Sequence, residues 1–355
     1  MIAERLIQAR KAAGLSVQAL SAKAGGVVTP QAISKYEKGK CKPTSTTLLA
    51  LAKALGVRAE YFFRPLTVDL GPIHFRKHSR VPAKTLSVIE GRSRDFLERY
   101  LSLEGVFPQG RFPSYRNPLD RRVCRSPKEA ETQAEDLRQL WRLGLDPIPN
   151  MTELLESRGI KVILISSEKG FDGLFTTVQD IHPVIVVGKE WPGERQRMTL
   201  AHELGHLVLS PIGTRKEQED LAKRFGGAFL IPAETARAEL GQRRRTLGWG
   251  ELFTLKRKYG ASVKAWLMRA KDLEIIEENR YVSLLKYYNK QGWNRREPYP
   301  LPQEEPTRFR RLLYQALAEG FLKETKAAEL DGQPLRAFMK AMAEEGAGFA
   351  DHPRG

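Results

Sequence analysis

Met198-Thr199-Leu200-Ala201-His202-Glu203-Leu204-Gly205-His206-Leu207-Val208-Leu209 is the stretch on which the reading of this chain turns. Apolar residues occupy nearly every side of it, the pattern of a helix buried in a domain core. Two histidines and a carboxylate interrupt that surface. Residues four apart share a helix face, so His202 and His206 can point two imidazoles at one ion. Glu203 lies about 100° further round, off the ligand pair but within a long side chain's reach of the ion's open side. His-Glu-x-x-His is the spacing that zinc chemistry uses: two neutral nitrogen ligands, and a general base beside an open coordination position.

Zinc needs a further protein ligand. Nothing after His206 continues as x-x-Gly-x-x-His, so a third histidine at that spacing is absent. The next acids are Glu217, Glu219, Asp220 and Glu234. Residues 216–230 read as a helix with Glu219, Ala222, Gly226 and Phe229 along one stripe. Gly226-Gly227 in mid-helix costs about 1 kcal/mol each against alanine. Such a cost makes sense where two backbones must approach closely, and the helix bearing His202 is the obvious neighbour. Glu219 is therefore the favoured third ligand, with Glu217 and Asp220 behind it.

Upstream, Asn150 caps a helix running to Gly159, and three β-rich runs follow at 160–165, 173–178 and 183–187. Turn residues bound each run, which predicts a small three-stranded sheet. Pro192-Gly193-Glu194 then opens the histidine helix. A sheet edge beside that helix would offer an extended peptide a strand to pair with.

Composition sets the frame. A chain of 355 residues has length for two or three domains. No apolar run approaches the roughly 18 residues of a membrane span, and the N-terminus opens directly into an amphipathic pattern, so a cytoplasmic protein is expected. Cys41 and Cys124 stand far apart, giving neither a disulfide framework nor a cysteine-based zinc site. The net charge of +17 points to a polyanionic partner. Much of it is concentrated at the start, where residues 1–66 carry 11 Lys/Arg against 3 Asp/Glu.

That first segment reads as four or five short helices. Ile2, Leu6, Ala9 and Ala13 follow helical spacing up to Gly14, and Ser16 caps a second helix that Gly25-Gly26 breaks. Thr29-Pro30 supplies a cap with proline at the first helical position, opening Gln31 to Lys38, which Gly39 closes. A fourth helix starts near Ser45 and stops at Gly56; a last short one holds Tyr61 and Phe62. A tight turn between the second and third makes a helix-turn-helix.

The stretch Gln31 to Gly39, followed by Lys40, Lys42 and Pro43, closely resembles the recognition helix of lambda-repressor/Cro-like (XRE family) DNA-binding domains. The turn before it is one or two residues longer than that family's norm. The resemblance implies a third helix in the major groove of double-stranded DNA. Thr29, Gln31, Ala32 and Lys35 are the candidates for base contact, and Lys38, Lys40 and Lys42 for phosphate contact. Ile33 and Tyr36 are expected to pack inward.

Pro65, Gly71 and Pro72 mark a linker, and Phe75-Arg76-Lys77-His78-Ser79-Arg80 reads as a basic part of it. Residues 82–104 read as one helix, 107–125 as irregular, and Ser126-Pro127-Lys128-Glu129 as a capping-box start for a helix to about Leu143. Gln242 to Arg245 is a basic loop. Two helices joined at Gly260 follow, more simply structural than DNA-binding. Residues 305–345 read as helical, and the last ten or so as frayed.

A second resemblance is more specific. Arg197 to Leu207, followed by Glu219-x-x-Ala222-x-x-Phe225 and Leu230-Ile231-Pro232, looks like the ImmA/IrrE family of metallopeptidases. That resemblance implies a zincin-like core with His202, His206 and Glu219 as Zn2+ ligands and Glu203 as general base. The order of helix-turn-helix, then peptidase, is similar to XRE-type regulators of the same family. Lys223 is a departure, standing where the family usually has Asn.

The expected class is α+β and predominantly helical. An all-α helix-turn-helix domain (1–66) leads through a linker and connecting helix (67–125) to a zincin-like α+β metallopeptidase domain (126–240) and a C-terminal helical region (241–355). The function implied is a DNA-binding regulator with a zinc endopeptidase that cleaves a repressor-like protein or itself. The alternative is a non-catalytic regulator or antitoxin whose zincin-like domain senses a metal, ligand or partner protein. The sequence leaves a homodimer open and gives no membrane partner.

Overall fold

The computed structural model of the protein describes residues 2–64, 82–112, 115–120, 122–166, 170–178 and 181–347. In chain order, α1 (Ile2–Ala12), α2 (Val17–Lys23), α3 (Pro30–Glu37) and α4 (Ser45–Leu55) come first. A 3-10 turn, Ala59–Phe63, and the long α5 (Ala83–Glu104) follow. Next come β1 (Val123–Cys124), α6 (Pro127–Leu140), α7 (Met151–Ser157), β2 (Lys161–Ile165), β3 (Gly173–Val178) and β4 (His182–Gly188). They lead to α8 (Gly193–Val208), β5 (Ser210–Pro211), α9 (Arg215–Leu230) and α10 (Ala233–Leu240). Then run α11 (Trp249–Tyr259), α12 (Val263–Asp272), α13 (Glu278–Lys290), α14 (Arg308–Ala318), α15 (Glu324–Asp331) and α16 (Leu335–Ala347). Helices dominate, and the strands supply a three-stranded sheet and a separate parallel pair of β1 with β5, the α+β class expected. The linker around Phe75–Arg80 and the last residues fall outside the described residues.

The chain forms two compact units. One contains α1 to α5 and α14 to α16; the other lies within residues 114–306. Sequence reading grouped 241–355 together, whereas packing divides the chain at 306/307. Apolar burial is the reason: Phe309, Leu312, Leu313 and Phe338 close on Tyr100 and Leu103 of α5, while α11 to α13 join the core that contains Leu200 and Leu204. The helical stretch expected over 305–345 is three helices, interrupted after Ala318 and again at Gly332-Gln333-Pro334.

In the first unit, the caps read from sequence hold. Ser16 accepts from the Ala19 amide and Thr29 from Ala32, with Pro30 at the first position of α3. The cap of α4 is Thr44, one residue before the expected start. Leu6, Leu20, Ile33, Leu51 and Phe62 form the core, with Tyr36 packed against it. The long turn between α2 and α3 passes through Gly25 and Gly26 at φ of +72° and +73°. Ser21 Oγ fastens it by donating to the carbonyl of Val28 at 2.6 Å. Buried Arg5 ties α1 to α5 through Glu98.

In the second unit, the sheet order is β2-β4-β3, with β2 parallel and β3 antiparallel to β4. The strands match the three expected runs to within one residue at each end. Ser126 does cap α6 by accepting from the Glu129 amide, yet Glu129 accepts from the amide of Arg125 rather than Ser126, so the box is half formed. α6 stops at Leu140, short of the expected Leu143, because buried Arg138 gathers the carbonyls of Gly144 and Asp146 and draws the chain round. Helices α10 and α13 were not foreseen from the sequence.

Candidate metal centre

The opening stretch lies on α8, which has Leu200, Ala201, Leu204 and Val208 in the core and β3 and β4 beside it. Helix α9 packs along it at very short range. A methyl added at Gly226 would come within 3.0 Å of the His202 backbone nitrogen, and one at Gly205 within 3.2 Å of the Ala222 carbonyl. The glycine cost noted from sequence is thus spent on bringing two backbones together. Gly227 behaves differently: its neighbour is the Arg269 side chain.

That approach sets Glu219 opposite the two imidazoles. His202 Nε2 and His206 Nε2 are 3.2 Å apart. The Glu219 carboxylate lies 3.3 Å from the first and 3.5 Å from the second. Among the described residues these three form the cluster of His, Cys, Asp or Glu side chains with converging ligand atoms. The spacings can be tested against a metal. Bonds of about 2.05 Å directed to tetrahedral corners put neighbouring ligand atoms about 3.3 Å apart. The His202–His206 separation of 3.2 Å and the His202–Glu219 Oε2 separation of 3.3 Å match that value, with the other carboxylate oxygen, Oε1, 3.5 Å from His206. Two imidazoles with a carboxylate are a donor set that zinc accepts. Hydrogen bonding to His202, and next to His206, holds the Glu219 carboxyl well below the usual carboxylate range, so it is anionic.

Glu203 is buried, on the same turn of α8 as His202. The ring of Phe175, on edge strand β3, stacks on His206 with a centroid separation of 6.4 Å. Sequence reading missed this wall; an aromatic at a mid-strand position was the one available signal. The competing acids are engaged elsewhere. Glu217 closes a full capping box with Thr214 at the start of α9. Asp220 is exposed and pairs with Lys223 at 3.3 Å, and Glu234 stands exposed in the first turn of α10. The same pairing answers the departure at Lys223, whose side chain is 62% exposed and directed to Asp220.

On the first unit, Thr29, Gln31, Lys35, Lys38, Lys40 and Lys42 are all exposed, while Ala32 is half-buried beside them. Arg10 joins α1 to the end of α3 through Glu37 at 2.5 Å.

Residues 155–271 match the family model of the IrrE N-terminal-like domain of the M78 peptidases, and residues 6–62 match that of a helix-turn-helix. The chain joins a DNA-binding helix-turn-helix domain to an IrrE-like domain. No curated protein matches the chain. The IrrE-like match begins in α7 and extends through α12, so it takes in β2 to β4, α8 and α9 as well as the hairpin α11–α12. No described helix is long and apolar enough to cross a membrane.

Proposed function

We propose that this protein is a DNA-binding transcriptional regulator whose IrrE-like unit is a zinc-dependent endopeptidase, acting on a repressor-like protein or on the chain itself. The observation that carries the reading is the three-way spacing of 3.2, 3.3 and 3.5 Å among His202, His206 and Glu219. His202, His206 and Glu219 would hold Zn2+, leaving a fourth position open. A zinc ion in such a site acidifies water and polarises a scissile carbonyl. Glu203 takes the proton from the attacking water and delivers it to the leaving amine. Buried as it is, its carboxylate works away from bulk solvent, where a fixed charge acts more strongly.

The substrate backbone has a place to lie. β3 is an edge of the sheet, pairing with β4 on one side, and α8 packs beside it. An extended peptide adding to that edge would be held by main-chain hydrogen bonds. On the first unit, Thr29, Gln31, Ala32 and Lys35 would face base edges, and Lys38, Lys40 and Lys42 phosphates.

The test is elemental analysis of the purified chain, followed by incubation of the zinc-loaded protein with a repressor from the same genome. One zinc per chain and cleavage abolished by Glu203→Gln are expected. Bound zinc with no cleavage of any such repressor, and a Glu203→Gln variant that regulates as wild type does in cells, would leave a sensor in place of a peptidase.

A further inference from the structure

The N-terminal turns of α8 are gripped by a segment more than a hundred residues away in sequence. Residues 297–304 lie beyond the IrrE-like match, which ends at 271. The Gly193 amide donates to the Leu301 carbonyl at 2.9 Å, and the Leu301 amide donates back to Glu194 Oε2 at 2.9 Å. A methyl on Gly193 would stand 2.0 Å from the Pro302 carbonyl oxygen, so this strap lies directly on the helix start. Lys256, fully buried, anchors its other end by donating to Glu194 at 2.7 Å and to the Pro298 carbonyl at 3.0 Å.

Glu304 is the knot. Its backbone pairs with the buried Gln196 side chain in both directions, each at 2.8 Å. One carboxylate oxygen accepts from the Arg197 guanidinium; the other accepts from the Thr152 amide in the first turn of α7, at 2.8 Å. Arg197 also donates to the Ile148 carbonyl at 2.6 Å. The Glu304 carboxylate therefore ties α8 to α7, while Arg197 itself ties α8 to the loop before α7.

We infer that Glu304 is a positioning residue for the metal-binding helix: it sets the roll of α8, and with it the places of His202 and His206. The inference rests on the metal centre proposed above. Its scale is geometric. An imidazole nitrogen sits about 6 Å from the helix axis, so a roll of about 5° moves it by about 0.5 Å. Metal bonds tolerate about 0.2 Å. His202 is five residues from Arg197, about 7.5 Å along the axis, close enough for the roll to be transmitted. Glu219 arrives on a separate helix and would not follow.

The experiment uses the full chain. Zinc affinity is measured by competition with a chromophoric chelator, and ligand geometry by the visible absorption band of the Co2+-loaded protein. Glu304→Gln keeps the shape but cannot serve Arg197 and Thr152 as an anion. It is expected to weaken zinc about tenfold and to alter the Co2+ band, as loss of an orienting partner does. Leu240→Ala, a core cavity in α10, is the control: it should lower the melting temperature and leave zinc affinity and the Co2+ band as they are. Should Glu304→Gln fail to fold, Gln196→Ala keeps the carboxylate but releases the Glu304 backbone from α8, loosening the same residue's hold on the helix, and is read the same way. Wild-type metal binding in the Glu304 and Gln196 variants overturns the inference alone, as does a loss of affinity that merely tracks melting temperature across all variants, Leu240→Ala included. A wild-type chain that binds neither ion overturns the metal centre and the inference together.

Discussion

On and around α3, the polar side chains expected to meet DNA stand in solvent; on α8 and α9, those expected to hold an ion are drawn in, His206 buried and His202 and Glu219 half-buried, with the base Glu203 buried beside them. The contrast separates two kinds of specification. A solvated lysine needs only a helix beneath it, and its contribution to affinity is one among several. The metal set has to be correct jointly, because a shift of a fraction of an ångström in any member removes the common point. The first kind should respond to substitution in small and separable steps, the second abruptly.

The comparison can be broken from its steep end. Glu203→Gln should lower the rate of peptide cleavage by about 10²–10⁴-fold while zinc content stays at wild-type level, since it removes the base and no ligand. Glu219→Ala should weaken zinc by more than about 100-fold, beyond the loss expected for an outer-sphere partner. Glu217→Ala, which touches only the capping box, should leave zinc content unchanged. The reverse result would move the ligand to Glu217. Gly226→Ala sharpens the point without touching chemistry: the added methyl presses on the His202 backbone, should cost about 1–3 kcal/mol in stability, and should lower zinc affinity with it. A calorimetric scan of the zinc-loaded and chelated forms measures both.

At the shallow end lies the first unit. Lys35→Ala should weaken binding to the specific operator by about 1–3 kcal/mol and leave random DNA less affected, as a base contact does. Lys40→Ala should weaken all sequences equally and reduce the slope of log affinity against log salt by about one. An equal loss on specific and random DNA for Lys35→Ala would turn it into a phosphate contact. The contrast itself would fail if either lysine abolished binding outright.

How much of this was legible follows from how far the partners lie apart in sequence. Ser16, Thr29 and Asn150 act on amides three residues ahead, so their caps could be read directly. His202 and His206 share a turn. Glu219 could be reached because the Gly226-Gly227 pair betrayed a close helix contact, and the stripe it defined carried the acid. Glu217, ranked behind Glu219 from the sequence, is held in a capping box with Thr214 whose residues the sequence also contained. What stayed out of sight has no local trace. Phe309 and Phe338 return to α5 across two hundred residues, and Glu304 meets Gln196 across 108. Apolar periodicity says that a helix has a buried face; it does not say against which part of the chain.

The return of α14 to α16 to α5 has a consequence for any self-inflicted cut. The IrrE-like unit is spliced into the middle of the DNA-binding one, leaving through one connection and coming back through another. A single nick anywhere in the insert would sever the polypeptide yet release nothing, because the two fragments stay clasped where Phe309 and Phe338 close on Tyr100. A nicked sample should therefore run as two bands in denaturing gels and as one particle of unchanged mass in native buffer. Departure from an operator by self-cleavage would have to begin with the unlatching of those tail helices.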